Sequence, residues 1–263
     1  MLIQFLTLFP PMFDGPFAQS MIKRAQDKGL VKLEMINFRS FAEDRHLTVD
    51  DTPYGGGPGM ILKPEPIFKA VDDLTAAAGA KPYIILTTPQ GETFHQELAV
   101  ELSKLPHLLF ICGHYEGYDE RIRTLADREL SIGDYILTGG ELPAMVMAES
   151  IIRLLPGVLG DPAAVKLDSF SSAEGILDYP QYTKPAEYRD LTVPPILLSG
   201  DHGKIARWRW EQALLRTARR RPELLEKLTL TETDRELLEN NRLIIEDDQT
   251  DHVVKGGNSD EPD

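Results

Sequence analysis

Side chains able to do chemistry gather in four short strings of this 263-residue chain. HYEGYDER (114–121) brings together Tyr115, Glu116, Tyr118, Asp119 and Arg121. A carboxylate in such a string can move a proton or orient a substrate; a solvated loop held by an ion pair would carry the same residues. DSF (168–170) sets Asp168 inside an aperiodic stretch, 157–175, rich in Gly, Asp, Ser and Ala. An acid there can reach a substrate held between two domains, and a plain exposed turn reads identically. WRWEQALLRTARRRPELL (208–225) interleaves Trp208 and Trp210 with arginines, and Arg207, Arg216, Arg219, Arg220 and Arg221 form a cluster. Guanidinium forks suit phosphates and indoles suit bases, while a charged outer helix face above packed tryptophans has the same pattern. YGGGPG (54–59) lacks the lysine and hydroxyl of a phosphate-binding loop, because it continues Met60-Ile61-Leu62. It reads as a shaped surface loop able to close over a ligand, or as a connector.

Composition narrows the classes. One cysteine, Cys112, and six scattered histidines offer neither a disulfide framework nor zinc-ligand spacing, and fit a reducing cytoplasm. No apolar run approaches the length of a membrane span. The first residues, MLIQFLTLFPPMFDG, are apolar without the basic leader and cleavage site of a signal peptide. The net charge of −14 argues at first against a nucleic-acid partner, but its distribution weakens that argument. Residues 231–263 contribute −8, residues 1–200 contribute −10, and residues 201–230 carry +4. Local patches rather than the total set phosphate contacts.

The elements that must position these residues follow from periodicity. Leu2–Leu8 reads as a first strand ended by Pro10-Pro11. Three apolar segments each run into a glycine-bearing loop: Tyr83–Leu86 into TTPQG, Leu108–Ile111 into CGHYEGYDE, and Ile132–Leu137 into TGGELP. Helix-like stretches, Glu97–Lys104 and Glu120–Asp127, lie between them. The alternation predicts α/β architecture with a mostly parallel sheet, whose loops converge on one crevice. SIGDYILTGGELPAM (131–145) is the richest of the three, a strand at Tyr135, Ile136 and Leu137, a Thr-Gly-Gly turn, and a helix opening with Glu141 and Pro143. That helix, 143–155, is apolar except at Glu149, Ser150 and Arg153, which predicts burial in a core or a subunit interface. The expected divisions are a domain at 1–156, a linker at 157–175, a helical domain at 176–245 with helices near 203–220, 222–228 and 231–241, and an acidic tail at 246–263 of disordered composition.

Nine strings in order, LTLFPPMF (6–13), PYGGGPGM (53–60), TTPQG (87–91), CGHYEGYDERI (112–122), SIGDYILTGGELPAM (131–145), DSFSS (168–172), YPQYTKP (179–185), VPPILLSGDH (193–202) and RRPELL (220–225), resemble the bacterial tRNA (guanine-N1)-methyltransferase family of the SPOUT class. Departures are minor: Thr52 and Lys184 where arginine is common, Asp190 for glycine, and a slightly long linker after Asp168. The resemblance implies a SPOUT-type sheet with a C-terminal trefoil knot, followed by a small mainly helical domain. It implies methyl transfer from S-adenosylmethionine to N1 of guanosine 37 in tRNA bearing guanosine at positions 36 and 37. A homodimer with its active site at the subunit interface and no membrane association is implied too. Cofactor contacts would be Thr87, Thr88, Pro89, Gln90, Gly113, Tyr115, Glu116, Ile132, Gly133, Asp134, Tyr135, Ile136, Leu137, Gly139, Gly140 and Pro143. Asp168 takes the role of general base and Arg153 that of the cation facing the guanine carbonyl oxygen. Substrate contacts would be Tyr54, Pro58, Arg207, Arg216, Arg220 and Arg221, and Glu116 is the candidate for orienting a magnesium ion (Mg2+). A SPOUT enzyme acting on ribose 2′-oxygen and a non-catalytic RNA-binding protein are the alternative readings.

Overall fold

The computed structural model describes residues 1–160, 168–171 and 175–243, so the acidic tail at 246–263 and most of the 157–175 segment lie outside the described residues. The chain forms two compact units, Met1–Lys166 and Leu167–Asp263.

The first unit is built on five strands, β1 (Leu2–Thr7), β2 (Lys32–Asn37), β5 (Tyr83–Thr93), β6 (His107–Cys112) and β7 (Arg128–Ser131). Two short strands, β3 (Asp50–Asp51) and β4 (Ile61–Leu62), form a separate antiparallel pair. The main sheet has the order β2-β1-β6-β5-β7 and every pairing is parallel. Its inner strands are nearly continuous apolar runs because both faces are covered. Successive side chains alternate between two cores. Phe5, Ile85, Leu108 and Phe110 enter one of them, while Leu6, Ile84, Leu86, Leu109 and Ile111 enter the other. The first core is closed by α1 (Asp14–Phe17), α2 (Ser20–Asp27), α4 (Gln96–Leu102) and α5 (Glu141–Ile152). The second is closed chiefly by α3 (Pro64–Ala78), which begins with Pro64 and ends at Gly79 in the left-handed conformation.

The third predicted strand is misplaced. β7 is Arg128–Ser131, four residues earlier than Ile132–Leu137, and Tyr135 and Ile136 are exposed. As the edge strand, β7 has one neighbour and tolerates the charged sequence RELS, whereas the more apolar stretch after it forms no strand. Glu120–Leu125 is a 3-10 helix, as is Pro222–Leu225, where longer helices are expected from sequence.

The second unit contains a small hairpin, β8 (Glu187–Tyr188) with β9 (Leu191–Thr192), and the helices α6 (Pro195–Leu198), α7 (His202–Arg220) and α8 (Glu232–Asn240). Leu214, Leu225 and Leu238 form its core with Ile176. Thr231 and Asp234 form a reciprocal cap at the start of α8, and Trp210 Nε1 donates to Asp234 Oδ1 at 2.9 Å.

Candidate functional site

Three chain segments at the carboxyl ends of β5, β6 and β7 surround a cavity of about 440 Å3. This is where a parallel sheet characteristically presents a ligand crevice. Thr87, Thr88, Pro89 and Gln90 come from the first segment, Gly113, Tyr115 and Glu116 from the second, and Ile132, Gly133, Tyr135, Ile136, Leu137, Gly139, Gly140 and Pro143 from the third. Asp134 is not among the lining residues. His114 and Tyr118, both within the HYEGYDER string, line the cavity too, as do Ser131, Thr138 and Arg123, for which the sequence carries no separate signal.

The walls are joined by backbone. Gly139 bridges to His114, and the Gly140 amide donates to the Gly113 carbonyl at 2.8 Å. The segment after β7 therefore crosses the end of β5 to reach β6. Gly140 permits that approach: a Cβ there would stand 2.0 Å from Thr87 Oγ1 and 2.9 Å from the Gly113 nitrogen. Tyr118 donates its hydroxyl to the Ile111 carbonyl at 2.9 Å, with the Thr87 carbonyl 3.2 Å away. Burial, and then Cys112 beside it, push its phenol well above the usual range, so it remains a neutral donor. Arg123 ties the walls together, donating to Gln90 Oε1 at 2.6 Å and pairing with Glu120 and Glu129. Gly113, Gly117, Gly133, Gly139 and Gly140 line the cavity, which leaves peptide groups uncovered by side chains and suited to reading the edge of an uncharged heterocycle.

A buried acid supports the floor. Glu141, 1% exposed, accepts from the Thr7 hydroxyl at 2.7 Å. Its other oxygen and His114 Nδ1 both lack hydrogen-bond partners, and they flank Gly139. From sequence Glu141 reads only as a first-turn helix residue; no local pattern signals its long-range partner on β1. The glycine loop touches the same region, since the Glu116 amide donates to the Met60 carbonyl at 3.1 Å. Gly59, at φ +81°, leaves room for Glu116, whose Cγ is 2.3 Å from where a Cβ would sit. Tyr54 and Pro58 are exposed and do not line the cavity.

The family model described as tRNA (Guanine-1)-methyltransferase TrmD matches residues 1–227. The chain belongs to the tRNA (guanine-N1)-methyltransferase family. A relative so named from Staphylococcus epidermidis is 54% identical over 249 residues, covering 94% of this chain and 100% of the relative. Another from Halalkalibacterium halodurans is 56% identical over 92% of this chain and 98% of its own length. One from Bacillus subtilis is 57% identical over 89% and 96% respectively.

In this methyltransferase the remaining sequence-derived residues occupy distinct places. Arg153 is half-buried at the carboxyl end of α5, its amide donating to the Glu149 carbonyl. Asp168, in the second unit, is half-buried and opens a turn closed by the Ser171 amide on its carbonyl at 3.1 Å. Arg216 and Arg220 come together with Arg219, Gln212, Leu215 and Pro180 around a hollow of about 240 Å3. Arg207, nine residues before Arg216, points the opposite way on α7 and pairs with Glu211 and Asp234. Arg221 pairs with Glu223. Trp210 packs against the core, which decides that ring in favour of the structural alternative. Among the described residues no three acidic, histidine or cysteine side chains gather as a metal site, so Glu116 has no protein-built cage around it. Nor is any described helix long and apolar enough to cross a membrane.

Proposed function

We propose that the chain methylates N1 of guanosine 37 in cytoplasmic tRNA carrying guanosine at positions 36 and 37, with the cavity at the ends of β5, β6 and β7 holding S-adenosylmethionine. The observation that carries this reading is the closed backbone seam between Gly113 and Gly140. It joins the segments after β6 and β7 into one continuous wall, which with Thr87–Gln90 of β5 encloses a cavity of suitable size. The crossing of the 132–140 segment past the end of β5, with the Phe94 amide donating to the Ser131 carbonyl at 2.8 Å, supports threading of the family's knotted kind.

Guanine N1 bears a proton at neutral pH and is not a nucleophile until that proton leaves. Asp168 accepts it as general base. The electron pair left behind spreads onto the neighbouring carbonyl oxygen, where the Arg153 guanidinium stabilises the developing charge. S-adenosylmethionine, when bound, supplies an electrophilic methyl group on a sulfonium. N1 forms its bond to that carbon as the carbon–sulfur bond breaks, so no covalent enzyme intermediate is needed. Glu116 would hold a magnesium ion, which would supply positive charge beside the substrate, in keeping with that ion's use of few protein carboxylates. Tyr54, Pro58 and the Arg216–Arg220 face contact the tRNA.

Asp168→Ala is expected to abolish methyl transfer while leaving S-adenosylmethionine affinity unchanged by calorimetry. Full turnover would remove Asp168 from the role of base, and mass spectrometry showing ribose rather than base methylation would overturn the reaction. A homodimer is supported by Leu142 and Val146, apolar side chains half-exposed one turn apart on the same side of α5 as the exposed Glu149. Sedimentation of Val146→Glu should show a monomer, and an unchanged dimer would exclude that face.

A further inference from the structure

The turn that begins at Asp168 carries an aromatic ring in an unfavourable backbone setting. Phe170 has φ +67°, a left-handed conformation that suits glycine or asparagine and strains a bulky side chain. The ring is only partly covered, with 40% of it left exposed to solvent. The turn is fixed from several directions. The Phe170 amide donates to the Ile176 carbonyl at 3.0 Å, and the Ser171 amide to the Asp168 carbonyl at 3.1 Å. The Ser169 hydroxyl accepts from the Asp178 amide at 2.9 Å. That following strip is itself tied to α7, through the Leu177 amide on Thr217 Oγ1 and Arg216 on the Asp178 carbonyl. Arg221 lies over the Phe170 ring, its Cζ 5.8 Å from the centroid, and Glu223 holds the same guanidinium in place. At the next residue, the Ser171 hydroxyl is shielded from solvent without a hydrogen-bond partner. Strain retained at an over-determined position characteristically marks a functional site.

We infer that Phe170 is the stacking platform for the guanine base that is methylated, with Arg221 backing the ring and Asp168, two residues away, meeting the edge of that base. An extruded base loses its neighbours in the stack and must regain that contact from the protein. An exposed ring supplies it without reading sequence. A cation behind the ring draws on its electrons and makes it a better partner for guanine, the most electron-rich of the bases. The inference rests on Asp168 acting as the base in methyl transfer.

The discriminating variant is Phe170→Gly. It removes the ring while suiting the backbone at φ +67°, so relief of strain offsets part of the lost packing and the folded state is expected to be retained. Meanwhile kcat/KM on tRNA should fall roughly 5- to 150-fold, the loss of one base–aromatic stack, with S-adenosylmethionine affinity unchanged. Phe170→Tyr and Phe170→Trp should restore activity and Phe170→Leu should not. The direct readout is tRNA carrying a fluorescent guanine analogue at the target position. Its emission is expected to be quenched on binding the native protein and to stay bright with Phe170→Gly. Native kcat/KM and native quenching in that variant, or full rescue by leucine, would overturn the platform. If instead Asp168→Ala kept full activity while Phe170→Gly lost the quenching, the base assignment would fail and the stacking contact would stand.

Discussion

Adding one methyl group at Gly140 tests the seam that joins two walls of the cavity. In Gly140→Ala the new Cβ falls 2.0 Å from Thr87 Oγ1, 2.9 Å from the Gly113 nitrogen and 3.0 Å from Cys112 Cα. Ordinary contact needs about 3.5 Å, so the hydroxyl must move by well over an ångström. Thr87 then loses its hydrogen bond to the Ile111 carbonyl, 3.1 Å in the native chain, inside a region where the residue is 5% exposed. An unsatisfied buried hydroxyl costs about 1–3 kcal/mol. The two backbone neighbours cannot rotate away, and overpacking there costs roughly 1–3 kcal/mol more. The backbone conformation of Gly140, φ −85° and ψ −4°, is open to alanine, so the whole effect is steric. The expected loss of about 2–6 kcal/mol lowers the melting temperature by roughly 5–20 °C. S-adenosylmethionine binding by calorimetry should weaken roughly 10- to 100-fold, because the wall at Gly113 is displaced. Adding Thr87→Ala removes the nearest clash but neither backbone one, so the double variant should recover part of the stability of Gly140→Ala. Native stability and affinity in Gly140→Ala, or no coupling between the two substitutions, would refute the steric account.

Two other perturbations probe the supporting structure. Thr7→Val deprives the buried Glu141 carboxylate of its hydrogen bond and should destabilise by about 1.5–3 kcal/mol; combining it with Glu141→Leu should cost less than the sum of the single variants in chemical denaturation. Simple additivity would show that the 2.7 Å contact carries no coupling. Asp234 is opposed by burial, yet hydrogen bonds from Thr231 and Trp210 hold its carboxyl below the usual range. The folded carboxyl therefore titrates below the unfolded one, near 3.9. Its stabilisation is present above the unfolded value and is lost as pH falls through the folded one. Both tryptophans, Trp208 and Trp210, lie in the second unit, so their fluorescence during acid titration follows that unit alone. Asp234→Asn should flatten the transition, and an identical acid profile would exclude this carboxylate as its source.

The chain's own residues make the α/β class, the parallel sheet, the glycine loops after β6 and β7 and the basic helix legible, whereas TTPQG, expected as a loop, lies inside β5. Burial on both sheet faces requires continuous apolar strands, and α7 carries enough periodicity to declare itself. The edge strand was not legible. RELS lacks an apolar signature because β7 is covered by one neighbour only, while the apolar YIL beside it lies largely exposed at the cavity. Sequence also placed Arg207 with Arg216 and Arg220, where helical geometry sets it on the opposite face. Only tertiary structure could bring Thr7 to Glu141 across 134 positions, seat Gly140 against Gly113, and load Phe170 onto a strained turn under Arg221. Local propensity is a property of neighbours in the chain and determines which segments form helices or strands. Contacts between distant segments depend on the order of strands in the sheet and the crossings that join them, and those decide which loop ends share a wall.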